Sequence, residues 1–152
     1  MNPQPPAWPP VQPPPPPAPP RPVDVDTGFW LWLAAVPLMV LGQLADGYVV
    51  SRTTNSPSVL VTTALLAVII GGVVVTFIVL MRSGYRWTRT LLTAGGVATI
   101  LYTAASLLGT PRPPLPAVVY AVTGIIGAVL IGGGIFLLHR PDSNKFFDSP
   151  GR

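Results

Sequence analysis

The sequence predicts an all-α membrane protein: an antiparallel four-helix transmembrane bundle behind a disordered, proline-rich N-terminal tail. Three observations carry that expectation. Charged residues are only 9% of the 152, and 49% are apolar, whereas soluble domains carry about 25% charged residues. Four apolar runs of 19 to 24 residues follow one another, and a spanning helix needs about 20. Thirteen of the 21 prolines fall in residues 1–22. Cysteine and glutamate do not occur, which excludes a disulfide scaffold and a cysteine metal site.

The elements follow in chain order. Residues 1–28 are expected to form a cytoplasmic tail, because repeated proline removes backbone donors and fixes φ, favouring polyproline II over helix or sheet. The tail has no basic n-region, apolar h-region or small-residue cleavage site, so it does not read as a signal peptide. Spans are expected at 29–50, 59–81, 90–108 and 115–138. Backbone groups in lipid must be satisfied within the segment, which makes each run a helix. Pro37 is expected to kink the first. The connectors are short enough to force an up-down order. Residues 139–152 form a C-terminal tail in which Pro141 stops the last helix and Asp142 or Ser143 caps a turn.

Charge sets the expected orientation. Arg21, Arg82, Arg86, Arg89, Arg140, Lys145 and Arg152 lie on one side if both termini are cytoplasmic, with only Arg52 and Arg112 opposite; this matches the positive-inside rule for a plasma (inner) membrane protein. Trp30, Trp32 and Trp87 then fall at the inner interface as anchors, joined by Arg140, Phe146 and Phe147 at the exit of the chain. The basic pI of about 10.1 thus reports topology and contact with the lipid bilayer. Nucleic acid is not an expected partner, since its binders cluster Arg and Lys on one soluble face.

Few residues can carry chemistry. Asp46 is the one ionisable residue clearly inside an apolar run, and such residues are functional by default. It also lies one turn from the helix end, where headgroup water or Arg52 is within reach. Gln43 shares its face. Thr62, Thr63, Tyr102, Thr103, Ser106 and Tyr120 sit at similar depth on the other helices. Either these faces converge on an outward-opening polar pocket, or the hydroxyls bond across helices or return to their own i−4 carbonyls. Small residues at four-residue spacing, Gly95, Thr99 and Thr103 on helix three and Gly124, Ala128 and Gly132 on helix four, suit close packing within the bundle or a homo-oligomer. In the tail, Pro16, Pro19 and Arg21 fit a PxxPxR pattern that suits aromatic-lined grooves. Trp8 is the other tail residue that reads as a partner anchor. His139 stands alone, so no metal or cofactor is expected. Phosphate-cradling loops, HExxH, paired carboxylates and nucleophile elbows do not occur, so an enzyme is not expected.

The proline run within residues 13–22, the four spans rich in Ala, Val and Gly, and the exit segment HRPDSNKFF at 139–147 resemble the small proline-rich four-span membrane proteins of actinobacteria and their phages. That resemblance implies a compartment rather than an activity. Small multidrug transporters also have four spans, but carry a glutamate deep in helix one; here Pro37 holds that depth and Asp46 is displaced outward. Three functions follow as expectations. The first is a non-catalytic anchor, adaptor or accessory subunit that recruits a protein partner through its tail. The second is a holin-like or exclusion effector of phage origin, and the third a small proton- or ligand-coupled transporter using Asp46.

Overall fold

In the computed structural model, residues 23–141 are described, and they form four helices: α1 Val23–Thr53, α2 Pro57–Arg82, α3 Arg86–Gly109 and α4 Pro114–Leu138. All four are long and apolar enough to cross a membrane, as a multi-pass membrane protein requires. Trp8, Pro16, Pro19, Arg21, Phe146 and Phe147, expected to bind a partner or anchor the chain, lie outside the described residues.

The helices run beyond the apolar runs because polar residues close their ends. Helix α1 begins at Val23 rather than 29, so residues 23–28, expected to belong to the tail, are helical. Asp24 and Asp26 sit in its first turn, where carboxylates favour the positive end of the helix dipole. Each carboxylate also ties α1 to a neighbour: Arg82 Nε donates to Asp26 Oδ1 at 3.1 Å, and Arg140 Nη1 to Asp24 Oδ1 at 3.2 Å. Arg140, expected as an anchor, is therefore also an ion-pair partner. These pairs are partly exposed, and such pairs contribute only about 0–1 kcal/mol each. Helix α1 continues through Pro37 without interruption.

The α2–α3 turn closes in a Schellman motif. Tyr85 N–H donates to Leu80 O and Gly84 N–H to Met81 O, with Gly84 at φ 93°. That left-handed position is where glycine escapes the Cβ penalty. Gly84→Ala is expected to destabilise the bundle by about 1 kcal/mol. Gly72→Ala, mid-helix and with nothing within 4 Å of an added Cβ, should instead stabilise by about 0.5–1 kcal/mol. Unfolding in mixed micelles of rising dodecyl sulfate content reads both signs. The α1–α2 turn uses the same device: Asn55 at φ 50° follows α1, and Ser56 N–H returns to Ser51 O. Pro57 and Pro114 open the next helices, where their missing N–H costs nothing.

The α1–α4 seam is the most extensive contact, and of the four main seams α2–α3 is the least. On α4 six of the seven buried positions, Tyr120, Gly124, Gly127, Ile131, Gly134 and Leu138, alternate steps of four and three, with Thr123 beside them. On α1 Val25, Gly28, Trp32, Ala35 and Gly42 do the same around partly buried Met39. That 3.5-residue repeat keeps one stripe facing its partner. Small residues on it let backbones approach where lipid offers no hydrophobic drive. Gly28 lies against Leu138, Trp32 against Gly134, Met39 against Gly127 and Thr123 against Gly42.

The expected small-residue stripe is displaced from this seam. Steps of four alone drift by about 40° each time around a helix, so Gly124 packs against Thr103 while nothing comes within 4 Å of an added Cβ at Gly132, and Ala128 is only half-buried. On α3 the close approach is at Gly96, not Gly95, and Thr99 is half-buried. Trp32 also departs from expectation. It is not an interfacial anchor but a core residue, 4% exposed, slotted between Gly96 and Gly134. Trp30 and Trp87 are exposed, each edge-on to a phenylalanine, Phe29 and Phe77.

Candidate functional site

A carboxylate near the end of an apolar helix needs either water or a counter-charge. Asp46 has the counter-charge, supplied by Arg112 from the α3–α4 connector rather than by Arg52. Arg112 Nε donates to Asp46 Oδ1 at 2.6 Å and Nη2 to Oδ2 at 2.8 Å. This two-pronged fit of a planar guanidinium on a carboxylate is the strong form of the ion pair. Nη2 also donates to Ser106 Oγ at 2.7 Å, and Nη1 to the carbonyls of Ser106 at 2.8 Å and Thr110 at 3.2 Å. All five N–H groups of the guanidinium are thereby used.

Local sequence explains the geometry. Helix α3 ends at Gly109, leaving last-turn carbonyls to be met, and the connector's prolines 111 and 113 have no N–H to offer. The Arg112 side chain folds back and caps those carbonyls itself. Beneath it lies the Tyr120 ring of α4, with its centroid 3.9 Å from the guanidinium carbon, a cation–π contact. The Arg112 side chain is 4% exposed and that of Asp46 24%. Its hydrogen bond to Asp46 raises the Arg112 pKa above its ordinary value, and the charges of Asp46, Tyr120 and Tyr102 add to this against the opposing effect of burial. The pair thus favours the cationic form of Arg112.

The expected outer polar residues divide into two sets. Asp46, Ser106 and Tyr120 gather on Arg112, a residue that sequence reasoning placed only in a topology count. Gln43, Tyr102 and Thr103 line a neighbouring cavity, which Tyr120 also borders. Thr63 packs on Gly47. The hydroxyls of Thr99 and Thr123 return to their own helices, at Gly95 O and Val119 O, both at 2.8 Å. Arg52 donates to Tyr48 Oη at 3.1 Å.

Chemically, this arrangement is a clamp. It joins α1, α3 and α4 through one arginine and leaves neither a free guanidinium donor nor an unengaged carboxylate oxygen. At the other end of the bundle Asp24, Asp26, Arg82 and Arg140 make the corresponding ties, and Arg89 Nη1 donates to Leu138 O at 3.3 Å. Among the described residues no group of three His, Asp or Glu side chains is placed to hold a metal ion. No protein-family model matches the chain, and no curated protein or solved structure matches it.

Proposed function

We propose that the chain is a non-catalytic membrane anchor, adaptor or accessory subunit that recruits a protein partner through its proline-rich residues 1–22. One observation carries the reading. The carboxylate that was a candidate for chemistry, Asp46, has both oxygens engaged by Arg112, and every N–H of that guanidinium is spent within the fold. Coupled transport through Asp46 would first have to release this clamp. The ion pairs at both ends and the residue pairs along the α1–α4 seam support an antiparallel order in which the bundle serves as a rigid mount. Arginine counts support a plasma-membrane orientation with both termini cytoplasmic. The resemblance to small actinobacterial and phage membrane proteins fits the same compartment.

The test compares the full chain, a chain lacking residues 1–22 and the Asp46→Asn variant in an actinobacterial host. Crosslinking in membranes is expected to trap the same partner with the full chain and with Asp46→Asn. It should trap none with the shortened chain, although that chain still inserts. Collapse of the membrane potential on expression of the full chain would overturn the adaptor reading in favour of a pore-forming effector.

A further inference from the structure

The helices enclose a cavity of about 570 Å³, within the range of about 300–1,000 Å³ usual for small-molecule sites. It lies against α1, where α2 and α3, neighbours that pack only loosely, leave a gap, and α4 closes its far side. Leu66, Ile70 and Leu91 on its edges are exposed, so its mouth opens sideways, at the depth of the apolar spans. An occupant arriving there comes from the bilayer.

The lining narrows the chemistry. No Asp, Arg or His is among the described residues that line the cavity, and its polar side chains collect near the end that holds the Asp46 clamp: Gln43, Thr63, Tyr102, Thr103, Tyr120 and Thr123, with Thr99 one turn further in. Trp32, Phe77 and Leu92 line the opposite end. Thr103 is 5% exposed and its methyl packs on Gly124. Unlike Thr99 and Thr123, it makes no hydrogen bond to another described residue. Its oxygen is open to the cavity, since among the described residues only the Trp32 N–H is a fully buried side-chain polar group without a partner. An apolar space without contacts is costly, and an amphipathic molecule would fill it while bonding this hydroxyl.

We infer that this cavity binds one neutral single-chain lipid, its hydroxyl-bearing headgroup at Thr103 and Tyr102 and its chain running toward Trp32 and Phe77. A charged headgroup would meet walls without a counter-charge and lose its hydration uncompensated. The inference is independent of the adaptor reading, since it concerns what the bundle holds rather than what the tail recruits.

Monooleoylglycerol is the probe, offered to the full chain in mixed micelles and followed by native mass spectrometry. The wild type is expected to retain one molecule per chain. Gly95→Leu and Gly72→Leu both place a side chain where nothing lies within 4 Å of the new Cβ, but only Gly95 lines the cavity. Retention should therefore fall about tenfold or more in Gly95→Leu and stay unchanged in Gly72→Leu. Thr103→Val keeps the shape, removes the hydroxyl and should weaken retention several-fold. Oleoyl lysophosphatidylglycerol at equal concentration should not displace the probe. Equal retention by wild type and Gly95→Leu, or displacement by the charged lipid, would overturn the assignment. So would a dimer of the wild type that Gly95→Leu dissolves without loss of probe, since a second copy would then be the occupant.

Discussion

Replacing Arg112 with alanine is expected to destabilise the bundle by roughly 3 kcal/mol, in the range found when one partner of a buried ion pair is removed. The loss is large because it strands Asp46 beside an apolar span and uncaps the last turn of α3 at once. Asp46→Asn should cost less, about 1–2 kcal/mol. The amide oxygen still accepts from Arg112, and the guanidinium keeps its bonds to Ser106 and Thr110. A double replacement, Asp46→Leu with Arg112→Met, should recover most of the loss, since a buried pair and apolar side chains of similar volume often balance. With Asp46→Leu and Arg112→Met also made singly, the cycle of these variants is expected to give a coupling of about 2 kcal/mol. Unfolding in mixed micelles, followed by circular dichroism, measures them all. Stability of Arg112→Ala equal to wild type would show the clamp to be idle. The raised Arg112 pKa fixes the sign of any pH effect from this residue. Its contribution is complete below its ordinary range and is lost only as pH rises through the raised value, so it stays constant through neutral and moderately alkaline pH.

Four apolar runs were legible because lipid allows only one backbone solution for them, and the structure has helices at all four places. Arg112 was not legible for a physical reason: a lone arginine between prolines in a short connector looks like a solvated charge. The residue it meets lies 66 positions earlier. One signal did exist. Asp46 required a counter-charge, and Arg112 was the charged residue of the third connector, near Ser106 in sequence. Trp32 was misplaced by its position along the helix, which suits an interfacial belt as well as a core. What decides between them is which face of α1 it occupies, and the residues that settle this, Gly96 and Gly134, are on other helices. Spacing of four on α3 and α4 pointed to close packing and named Gly124 and Thr103, which do meet, but it also chose Gly95 and Gly132, which meet nothing within 4 Å, over Gly96 and Gly134. The seam runs on alternating threes and fours, a repeat visible only when α1 and α4 are set side by side.

That seam yields the second large effect. A Cβ at Gly134 would lie 2.6 Å from Trp32 Cδ1 and 2.7 Å from Nε1, and one at Gly96 would lie 2.7 Å from Cη2 of the same ring and 2.8 Å from Ile131 Cγ2. The indole is rigid, buried and held on both sides, so it cannot give way as a flexible chain would. Its N–H has no hydrogen-bond partner, and packing alone keeps it in place. Gly134→Ala and Gly96→Ala are each expected to cost about 2–3 kcal/mol, near the upper end for an inserted methyl. Gly127→Ala, which meets the end of the flexible Met39 chain, should cost clearly less. Gly132→Ala, with open space around it, should gain about 0.5–1 kcal/mol from helix propensity. Trp32→Leu in the Gly134→Ala background is the decisive comparison. If the ring is the obstacle, the smaller side chain restores most of what the methyl removed, although Trp32→Leu alone destabilises by leaving a void. If the two losses simply add, α1 and α4 do not meet at Trp32 and Gly134, and the seam must be shifted along both helices.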